Sequence, residues 1–102
     1  MPRVEREDRA ATASVRRDGD ALVFAGALER AAVAALWPRA LALLPGATRL
    51  DLGAVAHVDS AGLALLAELG ARAGVAVVSG DPPGLAGLRA AYRLDATLAA
   101  AR

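Results

Sequence analysis

Apolar and polar positions alternate in short blocks along this chain, and the blocks change period in a fixed order. Ala13–Arg17 and Ala21–Ala25 are strand-like runs on either side of Asp18-Gly19, a dipeptide suited to a tight hairpin turn. The second run, Ala21-Leu22-Val23-Phe24-Ala25, is nearly all apolar and reads as a buried strand, and Gly26-Ala27-Leu28-Glu29 is expected to leave the sheet. Val33, Leu36, Trp37, Ala40, Leu41 and Leu44 then recur at helical spacing. Pro38 falls inside that helix, so either the helix kinks there or a second one begins with Pro38 in its first turn. Pro45-Gly46 ends it.

Arg49-Leu50-Asp51-Leu52 alternates as a strand, and Val55 and Val58 carry the chain to Asp59-Ser60-Ala61-Gly62. Ser60–Ala73 reads as a helix stopped by Gly74. Val75-Ala76-Val77-Val78-Ser79 resembles a parallel strand covered on both faces. Gly80–Gly84 is a turn, Leu85–Tyr92 a short last helix, and Leu94 and Leu98 are expected to close the bottom of the core. The order β-β-α-β-α-β-α predicts one α/β domain, a mixed sheet of four to five strands with helices mainly on one face. Residues 1–12 read as a flexible, mixed-charge tail and 13–102 as the domain.

Composition narrows the chemistry. Of 102 residues 56% are hydrophobic but only Phe24, Trp37 and Tyr92 are aromatic, so the core must be aliphatic and rich in alanine. The net charge of +1 is carried by scattered arginines, with no lysine, and leaves no footprint for nucleic acid. The absence of cysteine excludes disulfides and thiolate chemistry. The charged segment Met1–Ala11 lacks the apolar centre of a signal peptide, and no window reaches the roughly 18 apolar residues of a membrane span. A cytoplasmic protein without direct membrane insertion is expected.

The turn at Val58–Leu66 is the one stretch that suggests a site, because it places a hydroxyl and fresh backbone N–H groups at a helix N-terminus. Ser60 is expected to cap the helix, contributing about 1 kcal/mol, and an exposed cap can also meet a partner. Asp59 reads as a second cap or a solvated turn residue, and Gly62 as a place of close backbone approach. Leu63, Leu66, Ala67 and Gly70 form the face suited to the sheet. Leu65 and Leu69 form a second stripe, expected to point outward as a contact surface. His57, the one histidine, reads as structural. His57, Asp59 and Ser60 lie within four residues, whereas a hydrolytic triad converges from separate elements. No metal pair or phosphate-binding lysine is present, so a non-catalytic protein without cofactors is expected.

These features resemble the STAS domain, the family of anti-sigma-factor antagonists and transporter-associated modules. The resemblance spans residues 13–98 and rests above all on Val58-Asp59-Ser60-Ala61-Gly62-Leu63. Gly26-Ala27-Leu28-Glu29, Leu36-Trp37, Val58–Leu66 and Tyr92-Arg93-Leu94 make the chain most similar to the small STAS subunit of the Mla phospholipid-transport ABC system. That resemblance implies a cytosolic accessory subunit, peripheral to the inner membrane through its partner, the ATPase of a complex that maintains outer-membrane lipid asymmetry. It also implies that the hydroxyl position matching Ser60 matters for function, and Asp59, Ser60, Ala61 and Gly62, with Leu65 and Leu69 from the stripe above, are expected to be partner-binding or regulatory. In the antagonist branch the residue matching Ser60 is phosphorylated, so a sigma-factor switch is the alternative function.

Overall fold

A computed structural model describes residues 13–100; the tail expected over residues 1–12 lies outside them. Strands β1 (Ser14–Asp18), β2 (Ala21–Leu28), β3 (Arg49–Val58) and β4 (Val77–Ser79) form one sheet in the order β1-β2-β3-β4. The β1–β2 pair is an antiparallel hairpin, closed by two residues with Gly19 at φ 62°. The pairs β2–β3 and β3–β4 are parallel. Helices α1 (Arg30–Leu43), α2 (Ser60–Ala73) and α3 (Leu85–Tyr92) supply the crossovers and the last layer. The expected mixed α/β sheet is therefore present, with four strands among the described residues.

The core is aliphatic, as the composition requires. Leu22, Phe24 and Leu28 of β2 and Leu50, Leu52, Val55 and Val58 of β3 are buried against Leu36 and Ala40 of α1 and Leu63, Leu65, Leu66 and Leu69 of α2. The other side of the sheet is left more open: Ser14, Arg16, Arg49, Ala54 and His57 are exposed. Two irregularities explain the spacing of the buried β3 residues. Between Val23 and Ala25, and again between Gly26 and Ala27, β3 advances one residue more than β2. Each extra residue reverses the strand's alternation, so burial steps by three from Leu52 to Val55 and from Val55 to Val58.

Several boundaries differ from expectation. Gly26-Ala27-Leu28 does not leave the sheet: it is the last part of β2, paired with Val55-Ala56-His57-Val58. Helix α1 runs as one element through Pro38, which gives up the bond its missing N–H would have made to Ala34 and crowds that carbonyl with its ring. The run Val75–Ser79 is not covered on both faces. Only Val77–Ser79 pairs, as a short edge strand, and Val77 is 46% exposed. Leu98 does close the core, and Leu94 is half-buried. They sit on a terminal loop held by the Leu94–Ala100 bridge and by Asp95, whose carboxylate accepts from Thr97 N–H, Thr97 Oγ1 and Ala99 N–H.

Leu65 and Leu69 require a correction. They do not form an outward stripe, being only 3% and 0% exposed. Helix α2 is buried over a wide arc because it packs not only on the sheet but also against α1 and α3. Its exposed positions are Ser60, Ala64, Glu68, Ala71 and Arg72. Trp37 of α1 lies under the Arg72 guanidinium, 5.3 Å from the ring centroid.

Helix α1 depends on other elements at both ends. It has no side-chain N-cap bond, no acidic residue in its first turn and no basic residue in its last. At its C-terminus Arg17 of β1 donates to the carbonyls of Leu43 and Pro45, both at 2.7 Å. At its N-terminus the partner is Asp59.

Two outcomes follow from this packing. Gly62 sits so close to the Leu28 carbonyl that an added Cβ would collide with backbone. Gly62→Ala is expected to lose about 2 kcal/mol or more, read by urea denaturation. Leu65→Glu and Leu69→Glu are expected not to fold, because each places an unpaired carboxylate in the core. Leu69→Ala should fold with about 2–5 kcal/mol less stability. Circular dichroism and melting curves distinguish these variants from ones that merely weaken a surface contact.

Candidate functional site

The carboxyl ends of parallel strands, where crossovers turn into helices, are where open α/β sheets gather their functional groups. Here β2 ends at Leu28, β3 ends at Val58, and the first turns of α1 and α2 start side by side. Asp59 N–H donates to the Leu28 carbonyl at 3.2 Å, drawing the turn onto the end of β2. The Asp59 carboxylate then serves both helices. One oxygen accepts from Gly62 N–H at 2.9 Å, the other from Arg30 N–H at 3.0 Å. These bonds, led by the one from Gly62, hold its carboxyl below the ordinary aspartate value of 3.8.

Asp59, not Ser60, is thus the N-cap of α2, with extended backbone at φ −102°. Ser60 is the first helical residue. Its side chain is exposed, and its hydroxyl bonds no described residue. Ala61 is half-buried and Gly62 buried. The four turn residues are therefore together, but they divide the work: Asp59 and Gly62 build the turn, while Ser60 and Ala61 form its outer surface.

Beside the turn the structure brings together residues that sequence reasoning missed. A cleft of ≈ 470 Å³ takes Ser60, Ala61, Leu63, Ala64 and Ala67 from α2, Arg30 from α1, and Tyr92 and Leu94 from the end of the chain. Tyr92 is 57% exposed, unusual for one of only three aromatic side chains. Among the described residues Arg30 is the one charged residue lining the cleft. The scarcity of aromatics could have drawn attention to Tyr92, but nothing local relates it to Ser60, 32 positions earlier.

His57 is not aligned for catalysis with Ser60. Its Nδ1 lies 2.9 Å from Glu29 Oε2, an exposed contact linking the ends of β2 and β3. Gly84, at φ 93°, lets the following loop approach the Val58 carbonyl and the His57 ring, and Val58 N–H donates to the Pro83 carbonyl at 3.1 Å. That one backbone bond ties the loop to the end of β3. Among the described residues no group of three His, Cys, Asp or Glu side chains is placed to hold a metal, and no helix is long and apolar enough to cross a membrane.

The shared carboxylate makes a pH-dependent outcome. Because the folded-state carboxyl lies below 3.8, its contribution is complete above that pH and lost as pH falls through the lower folded value. Asp59→Asn keeps one amide oxygen for a cap but cannot accept from both helices. It should cost about 1–2 kcal/mol near neutral pH. The gap between this variant and the wild type should close as pH drops below 3.8, measured by chemical denaturation across the acid range.

No curated protein matches the chain closely enough to be informative. A family model described as "Mlab, STAS domain" matches residues 12–99, which includes every element described above and the whole Asp59–Gly62 turn. The chain belongs to the STAS domain family.

Proposed function

We propose that this STAS domain is a non-catalytic accessory subunit of an ABC phospholipid transporter. In this reading it binds the cytosolic ATPase of the inner-membrane complex, supports its assembly or activity, and so helps maintain outer-membrane lipid asymmetry. The observation that carries the reading is the match over residues 12–99 to the domain model described as Mlab. It is supported by the surface around the turn: an exposed Ser60 beside an apolar cleft, with no catalytic arrangement at Ser60. Such a surface suits a protein partner better than a reaction.

A second reading keeps Ser60 as a phosphorylation site in an anti-sigma-factor antagonist. It is favoured by one specific feature: Ser60 is exposed, does not supply the cap of α2, and shares its cleft with Arg30. The two readings require different companions.

Affinity purification of the tagged protein from its native cells should recover an ABC ATPase. Recovery of a serine kinase with no ABC ATPase would reverse the order of the two readings. Ser60→Ala should leave stability within about 0.5 kcal/mol of wild type, since the cap is Asp59. Ser60→Asp should stay folded, because a negative charge suits the first turn of a helix. It should nevertheless bind the ATPase more weakly than Ser60→Ala, because the new charge is desolvated at the contact. Thermal melts and a binding titration test both expectations.

A further inference from the structure

We infer that the cleft between α2 and Tyr92 receives an amphipathic helix of the partner protein, with aliphatic side chains against the alanine wall and a carboxylate paired to Arg30. The inference rests on the reading that this face is the docking surface, and it adds what the partner must present there.

Three features of the cleft lead to this occupant. Ala61, Ala64 and Ala67 recur every third residue along α2 and line the same cleft, so their short side chains leave room for larger ones to enter. The lining consists of residues from helices and the chain segment after α3, with no strand of the sheet contributing. An extended peptide laid there would find no sheet edge to pair its backbone, whereas a helix satisfies its own N–H and C=O groups. Arg30 settles the charge. Among the described residues it is the only charged one lining the cleft and takes part in no ion pair; the pairs among them are Arg16–Asp18, Arg49–Asp20, His57–Glu29 and Arg72–Glu68. The neighbouring acid, Asp59, already has its two oxygens bonded to backbone N–H groups of the two helices. An incoming carboxylate therefore meets a guanidinium and the positive end of two helix dipoles, against a single carboxylate already engaged. Tyr92 and Arg30 are also the residue types that most often anchor protein contacts.

The test places a photo-crosslinking amino acid at Ala64 of the full chain in its native cells, with Ala54 on the open sheet face as the control position. Crosslinked peptides are identified by mass spectrometry. Arg30→Gln and Arg30→Glu are compared with wild type for partner recovery, with thermal melts to verify folding. Arg30→Gln guards against Arg30→Glu destabilising the turn by repelling Asp59. The expected result is an Ala64 crosslink to a segment with aliphatic residues at helical spacing and an Asp or Glu among them. Partner recovery should fall about tenfold with Arg30→Gln. Reversing the partner's acid to arginine should restore binding to Arg30→Glu. If that segment belongs to an ABC ATPase, both the inference and the transporter reading stand. If it belongs to another protein with the same chemistry and rescue, the inference stands and the transporter reading falls. An ABC ATPase recovered with crosslinks only from Ala54, with a segment lacking an acid, or with no loss in Arg30→Gln overturns the inference while leaving the transporter reading intact.

Discussion

The Asp59 carboxylate holds the carboxyl end of the sheet and the starts of two helices together. Two helix N-termini, each with unpaired N–H groups and a positive dipole end, start side by side at the carboxyl ends of β2 and β3. One carboxylate between them accepts from the first turn of both. The arrangement replaces what α1 lacks, because its own N-cap residue, Glu29, directs its carboxylate to His57 instead. Close approach is also necessary, and Gly62 permits it by having no Cβ to strike the Leu28 carbonyl. Asp59 and Gly62 are thus two parts of one constraint, electrostatic and steric.

That constraint also leaves the exposed side chains beside it uncommitted to the fold. With capping assigned to Asp59, Ser60 has no structural duty for its hydroxyl, and its side chain projects to solvent at the mouth of the cleft. The backbone N–H of Arg30 is tied to Asp59, and the residue lines the same cleft as Ser60. A rigid base spares the backbone entropy that a loop would lose when a partner arrives, so the cost of ordering is confined to the side chains.

Much of this was legible in the sequence. The Asp18-Gly19 hairpin, the order of elements and the turn at Asp59–Gly62 follow from local chemistry that no tertiary contact overrides. The phase of α2 was not legible. Leucines at 63, 65, 66 and 69, separated by alanines, fit more than one face, and only the packing of α2 against α1 and α3 shows that Leu65 and Leu69 lie inside. The choice between Asp59 and Ser60 as cap was equally open, since both are good caps. It was decided by Leu28 and Arg30, which lie about thirty residues earlier in the chain. Val55 and Val58 broke the strand alternation because β3 carries two extra residues, a relation that exists only across the pair of strands. The cleft itself joins Arg30, Ser60 and Tyr92 from three helices, and no local pattern connects them.

Helix α1 has a further consequence, because both of its ends are satisfied by side chains from elsewhere: Arg17 from the hairpin and Asp59 from the second crossover. Such a helix has little stability by itself, and Pro38 lowers it further. Its first turn and that of α2 form one cooperative unit, since releasing Asp59 uncaps both at once. Local opening on this side of the molecule therefore cannot be confined to one helix, and any contact that steadies the turn steadies the whole layer above the sheet.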